Sequence, residues 1–193
     1  MAGKGSRGVY QLKVTLRDIR PPIWRRIEIR EDATLTQLHR VLRLAVGWED
    51  SHLHQFVIGG RVYSAPDPDD ELSDRRVIDE GKVRLAEVVS GVGTEFEYEY
   101  DFGDGWQHVL LLEAIVEPEP KAQYPRCLAG ERSAPPEDVG GPPGYENYLR
   151  AIKDPAHEEH KEILEWHAPF DPELFSAEAV NPKSLKKLGP TRG

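Results

Sequence analysis

The segment that most restricts what this chain can become runs from Glu95 to Val116. Phe96, Tyr98, Tyr100 and Phe102 alternate with Glu95, Glu97, Glu99 and Asp101, and Gly103-Asp104-Gly105 then leads into an apolar run that begins at Trp106. Rings on every second residue with carboxylates between them cannot gather on one side of a helix, where neighbours recur every 3.6 residues. They sort onto the two faces of a strand. The glycines permit a reversal, so the segment reads as an antiparallel hairpin with one buried face. Two registers compete. A two-residue turn at Asp104-Gly105 pairs Asp101 with His108 but sets the rings opposite Val109, Leu111 and Glu113. A three-residue loop pairs Phe102 with Trp106, Tyr100 with His108, Tyr98 with Leu110 and Phe96 with Leu112. It keeps one face apolar throughout and is the expected register, with Gly105 as its left-handed residue.

The same period of two recurs in Tyr10, Leu12, Val14 and Leu16, which alternate with Gln11, Lys13, Thr15 and Arg17. Pro21-Pro22 interrupts that strand, and Ile23, Ile27 and Ile29 mark a second one. There Arg25 falls on the apolar side and Trp24 on the other, a misfit that a bulge near the prolines would relieve. A helix follows: Thr34 and Gln37 form a capping box, Leu35, Leu38, Leu42 and Ala45 make a stripe widened by Val41 and Val46, and Gly47 stops it. His52 to Ile58 and Arg61 to Tyr63 read as a second hairpin about Gly59-Gly60, with His52 and His54 on one face. Residues 66–82 read as an exposed acidic loop with one helical turn. Residues 118–144 have little periodicity and many prolines and glycines, as long functional loops do. A helix bearing Tyr145, Tyr148, Leu149 and Ile152 ends at Asp154-Pro155, and another spans Ala156 to His167. The expected architecture is a single two-layer α+β domain over residues 9–180. Its mostly antiparallel sheet opens strand–strand–helix and carries C-terminal helices, with flexible tails at 1–8 and 183–193.

Composition narrows the function classes. Of 193 residues 38% are hydrophobic, enough for one core, and the net charge is −9. No apolar run approaches the roughly 18 residues of a membrane span. Residues 1–8 lack the apolar centre of a secretion signal. One cysteine, Cys127, excludes an internal disulfide and fits a reducing, cytoplasmic setting. Residues 1–46 hold ten Lys/Arg against four Asp/Glu. Arg17, Arg25, Arg26 and Arg30 form a candidate nucleic-acid face, although basic residues alternating with apolar ones are also the ordinary wet face of a sheet, and overall acidity opposes phosphate binding.

Candidate chemistry gathers at the aromatic hairpin. Asp101, Asp104 and His108 could act as an acid–base group or, with His52 and His54, hold a divalent metal. The plain alternative is turn chemistry for the aspartates and packing for the histidine. Trp106, at the expected tip, Tyr100, and Tyr124 in the long loop are candidate ligand-binding residues. His157-Glu158-Glu159-His160 lacks the spacing of zinc-protease motifs, and Cys127 has no CxxC partner. No P-loop, GxSxG or EF-hand pattern occurs, and no GxGxxG follows a strand.

Several segments together resemble the plasmid pRiA4b ORF-3-like family: Tyr10–Leu16 with Arg20–Arg26, Leu38-His39 to Gly47-Trp48, His52–Phe56, Tyr100–His108, Cys127–Arg132, Pro135–Gly141 and Gly144-Tyr145. The resemblance runs in order from about residue 9 to 170. It implies an α+β fold and carriage by plasmids or as a passenger of insertion sequences. It assigns no catalytic residue, and the resolvase-like label used for some such proteins finds no recombinase motif here. The resemblance implies cysteines that often flank the Pro-Pro-Glu-Asp segment in such proteins, where this chain has Ala134 and Val139, so a structural zinc in that loop is not expected. The functional expectation is a non-catalytic interaction module for a protein or small ligand. A metal-assisted hydrolase and a nucleic-acid-binding protein are the alternatives.

Overall fold

A computed structural model describes residues 8–66, 76–166 and 170–183. The strands are β1 (Val9–Leu16), β2 (Trp24–Arg30), β3 (His54–Ile58), β4 (Arg61–Ser64), β5 (Val77–Asp79), β6 (Glu95–Tyr100), β7 (Trp106–Val116) and β8 (Arg126–Glu131). The helices are α1 (Leu35–Val46), α2 (Leu85–Val88), α3 (Gly141–Lys153), α4 (His160–Trp166) and α5 (Ala177–Lys183). All eight strands join one sheet in the order β5-β4-β3-β6-β7-β1-β2-β8. Every pairing is antiparallel except β4 with β5. The molecule is one α+β domain, as its patterning predicts. The two tails lie, apart from Gly8 and Lys183, outside the described residues, as do Pro68 and the acidic cluster that follows it.

One sheet face is the core face. Leu12, Val14 and Leu16 from β1, Ile27 and Ile29 from β2, Phe56 from β3, Phe96, Tyr98 and Tyr100 from β6, and Trp106, Leu110 and Leu112 from β7 are all buried. Leu35, Leu38, Val41, Leu42 and Ala45 of α1 join the same core, as do Tyr145 and Tyr148 of α3. The caps of α1 form as read: Thr34 Oγ1 accepts from Gln37 N, the Gln37 amide oxygen accepts from Thr34 N, and Gly47 is left-handed at φ 102°. Thr34→Ala removes one acceptor from that exchange and is expected to cost about 1 kcal/mol in urea denaturation.

Outside the aromatic hairpin the structure changes four readings. Arg25 needs no bulge between β1 and β2, whose register is unbroken from Val9 opposite Arg30 to Thr15 opposite Trp24. It points inward and is nearly fully buried, because carbonyls meet its donors. Nε donates to Ala45 O at 2.9 Å, Nη1 to Trp24 O and Glu131 O, and Phe175 lies 4.1 Å beneath the guanidinium. Burial lowers its pKa to about 10. Secondly, β3 starts at His54, so His52 precedes the strand. Thirdly, β5 and β8 occupy stretches that read as loop. Their few residues show no clean alternation, and the β8 edge is covered by α5, where Asn181 accepts from Cys127 N and donates to Cys127 O, both at 2.7 Å. Fourthly, α4 begins at His160 rather than Ala156.

The hairpin register differs by two residues. Tyr100 faces Trp106, Tyr98 faces His108 and Phe96 faces Leu110. A shift of two keeps the same side chains inward, so the buried face is the expected one and only the turn is longer. Asp101 causes this. It is left-handed at φ 58°, its Oδ1 accepts from Gly103 N at 3.0 Å and Asp104 N at 3.3 Å, and its carbonyl accepts from Gly105 N. Phe102 is thereby expelled to the tip, 47% exposed, while Trp106 goes into the core.

On the opposite sheet face the basic residues are engaged. Arg17 pairs with Glu97 at 2.7 Å, Arg26 holds Glu113 through two nitrogens, and Arg30 lies 3.6 Å from Asp32. Lys13 and Arg26 also lie over the Trp24 ring.

Candidate functional site

Loop 132–140 folds down onto the β6–β7 turn, and the contacts between them are specific. Trp48 Nε1 donates to Pro135 O at 2.9 Å. The Glu137 carboxylate accepts from Tyr100 O–H at 2.6 Å, Glu49 N at 3.1 Å and Ser51 Oγ at 3.4 Å. Asp104 Oδ2 accepts from Gly140 N at 3.1 Å. Gly141, at φ 68°, lies so close to Asp104 that a Cβ there would overlap the Asp104 carbonyl. These contacts convert a proline-rich loop and a tight turn into one surface. Tyr100 is central to it: its hydroxyl also accepts from Ser51 N, its ring stacks on Trp48 at 4.8 Å, and burial followed by the Glu137 carboxylate pushes its pKa up to about 12.

Two of the five candidate metal and acid–base residues meet here. His52 Nδ1 lies 3.5 Å from Asp101 Oδ2. Asp138, brought in by the loop, stands 3.1 Å from His52 Nε2. One ligand atom from each of His52, Asp101 and Asp138 falls within a 4.8 Å cluster. Asp104 belongs to the same surface but is spent on Gly140. Asp138 and Glu137 were legible only as acids in a Pro/Gly-rich segment, since no periodicity ties them to a turn thirty-odd residues away.

His54 and His108 go elsewhere. The His54 ring stacks on His39 with centroids 3.5 Å apart and planes 4° from parallel, and its Nε2 donates to the buried Glu80 at 2.9 Å. His39 Nε2 faces Asp50 at 2.8 Å and its Nδ1 faces the Tyr98 hydroxyl at 2.8 Å. A carboxylate only accepts, so a neutral His39 carries its proton on Nε2 and accepts from Tyr98 O–H. Burial and then the neighbouring His54 lower the His39 pKa to about 4, against the pull of Asp50. His108 lies beneath Trp48, which meets it edge-on, and its Nδ1 donates to Tyr98 O. Burial lowers its pKa to about 4 too. The rings of Tyr100 and Trp48 intervene between His52 and His108.

The ligand-binding candidates also separate. Tyr100 is fully buried and joins the face only through its hydroxyl's hydrogen bond to Glu137. Trp106 is buried. Tyr124 sits in the β7–β8 connection, its hydroxyl accepting from Glu119 N and its ring under Arg126. Beside the triad the exposed apolar groups are Leu53, 64% exposed, and Phe102, joined through the Asp101 N to Leu53 O hydrogen bond.

Comparison with known proteins gives a consistent result. The sequence profile of the plasmid pRiA4b ORF-3-like proteins matches residues 8–179. The chain is 39% identical over 180 residues to the uncharacterized protein y4hQ of Sinorhizobium fredii, covering 93% of this chain and 89% of that one. It is also similar to the crystal structure of MM3350 from Methanosarcina mazei, titled a protein of unknown function, with a TM-score of 0.79 and 36% identity over 91% of this chain and 98% of that one. No described helix is long and apolar enough to cross a membrane.

Proposed function

The chain belongs to the plasmid pRiA4b ORF-3-like family, and from the site just described we propose that it is a binding module without chemistry of its own, serving plasmids or mobile elements inside the cell. Its binding face is the β6–β7 turn together with residues 51–53 and loop 132–140, and its partner is a protein segment or small ligand. The observation that carries this reading is the clamp between turn and loop. Four hydrogen bonds among three chain segments, 48–49, 100–104 and 135–140, hold the surface still while Phe102 and Leu53 stand out from it. Ordering is the main cost of binding, and a face already ordered avoids it. Exposed apolar groups ringed by fixed polar ones are the usual make-up of such a face.

A metal-assisted hydrolase needs its imidazoles and carboxylates on one reacting centre. Here His54 is committed to Glu80, His108 lies under Trp48, and Asp104 holds Gly140. A nucleic-acid face needs free cations. Arg17, Arg26 and Arg30 are beside carboxylates, and Arg25 is inside.

A fragment screen read by amide ¹H–¹⁵N spectra is expected to perturb residues 51–53, 101–105 and 135–140 first, with Phe102→Ala weakening those hits. Hits that avoid this face would refute the assignment. Turnover of phosphodiesters or peptides with added divalent metal, abolished in Asp104→Ala, would refute the absence of chemistry.

A further inference from the structure

We propose that His52, Asp101 and Asp138 bind one divalent transition-metal cation. Elsewhere in this molecule an imidazole beside a carboxylate makes a proper hydrogen bond: His39 to Asp50 at 2.8 Å and His54 to Glu80 at 2.9 Å. His52 has a carboxylate off each ring nitrogen and makes a hydrogen bond to neither. Its Nε2 is shielded from solvent and lies 3.1 Å from Asp138 Oδ1 without the alignment a hydrogen bond requires. Its Nδ1 stands 3.5 Å from Asp101 Oδ2, too far for a good one. One imidazole offers one nitrogen to one ion, and Nε2 with Asp138 Oδ1, close but not aligned for a hydrogen bond, stand as two ligands on either side of a common centre would. Bonds of about 2.0–2.3 Å to a metal place neighbouring ligand atoms about 3.0–3.7 Å apart; the 3.1 Å between His52 and Asp138 falls in that range, and one ligand atom from each of the three residues lies within 4.8 Å of the others.

The supports of the three groups are also those of a metal site. Asp101 Oδ1 accepts two turn amides, which leaves Oδ2 turned toward His52. Asp138 is held on both sides in the chain, through Glu137 to Tyr100 and through Gly140 to Asp104. Fixing ligands through their neighbours is how protein sites set metal geometry. Two carboxylates with a neutral ring carry two negative charges, which a divalent ion neutralises. One nitrogen with two oxygens suits Zn²⁺ or Mn²⁺ better than Ca²⁺ or Mg²⁺, which favour oxygen alone. The Asp138 side chain is 65% exposed, so an ion can enter, and with three protein ligands it keeps open positions toward solvent beside Phe102 and Leu53. Through them, an otherwise acidic face could hold an anionic group of a ligand. The inference adds an ion to the face assigned above, and its test reads ion binding alone, so it can fail while that face still binds fragments.

The full chain, stripped with chelator, is titrated with Zn²⁺ and with Mn²⁺ by calorimetry, and the Mn²⁺ complex is measured by electron spin echo. One ion per chain is expected. Asp138→Asn keeps a residue that tolerates the left-handed backbone at this exposed position and should weaken binding about ten-fold or more. His52→Gln should remove the nitrogen modulation from the Mn²⁺ echo, while the exposed Glu158→Gln changes neither reading. Absence of binding in the millimolar range, equal affinity in Asp138→Asn, or nitrogen modulation that persists in His52→Gln would each overturn the proposal.

Discussion

Between pH 6.5 and pH 4 the protein is expected to lose about 6 kcal/mol of folding stability, most of what a domain of this size possesses. His39 and His108 carry the effect. Both are buried, and in the fold both have their pKa lowered to about 4 from 6.5. The unfolded chain binds a proton on each as the pH falls through 6.5, whereas the native protein does so only near 4. Their contribution is therefore whole above about pH 6.5 and drains away as the pH drops through that window, at about 3 kcal/mol for each ring. The surroundings act in the expected directions. His39 faces His54 in the stack, Asp50 and Glu80 as carboxylates, and the Tyr98 hydroxyl. Asp50 and Glu80 favour its charge but do not offset burial and the second imidazole. His108 faces the Arg25 guanidinium and the carbonyl of Tyr98. Urea denaturation from pH 8 to pH 4 is expected to show a plateau and then a steep fall, and His39→Gln should fall about half as steeply. A flat profile down to pH 4.5 would show that these rings are hydrated or mobile in solution.

The same histidines show where sequence reading stops. The aromatic strand was legible because Phe96, Tyr98 and Tyr100 obey a local period, and α1 because Thr34, Gln37 and Gly47 mark its ends within a few residues of one another. Parity of the hairpin followed from the buried face. Its length did not, since that depends on one carboxylate, Asp101, bonding its own turn in preference to extending the strand. Strand β8 was missed because Arg126–Glu131 owes its place to β2 and to Asn181, fifty-odd residues away, rather than to any alternation of its own. At the site, the closeness of His52 and Asp101 follows from β3 pairing with β6. That His54 would turn to Glu80, and that Asp138 would arrive beside His52, depends on how loops close over the sheet. Period and propensity carry no record of that.

Gly141→Ala is expected to cost about 3 kcal/mol and to lower the melting temperature by roughly 10 °C, although the residue, buried in the first turn of α3, is not one of the three triad residues. Gly141 is left-handed at φ 68°, which alone costs alanine about 1–2 kcal/mol. The added methyl would also overlap the Asp104 carbonyl, backbone that no side-chain rotation can move aside. Helix and turn must then part, which breaks the Gly140 N to Asp104 hydrogen bond and releases the loop carrying Glu137 and Asp138. Two readouts should therefore move together: stability, and Zn²⁺ or Mn²⁺ affinity at a site whose ligands are all still present. Glu146→Ala, exposed on the same helix, should change stability by less than about 0.5 kcal/mol. If Gly141→Ala melts like the parent chain, the turn and the loop are not in contact in solution. The binding face would then lose the rigidity on which its assignment rests. If it melts early but binds the ion as before, the clamp supports the fold, and the triad is positioned by something other than loop 132–140.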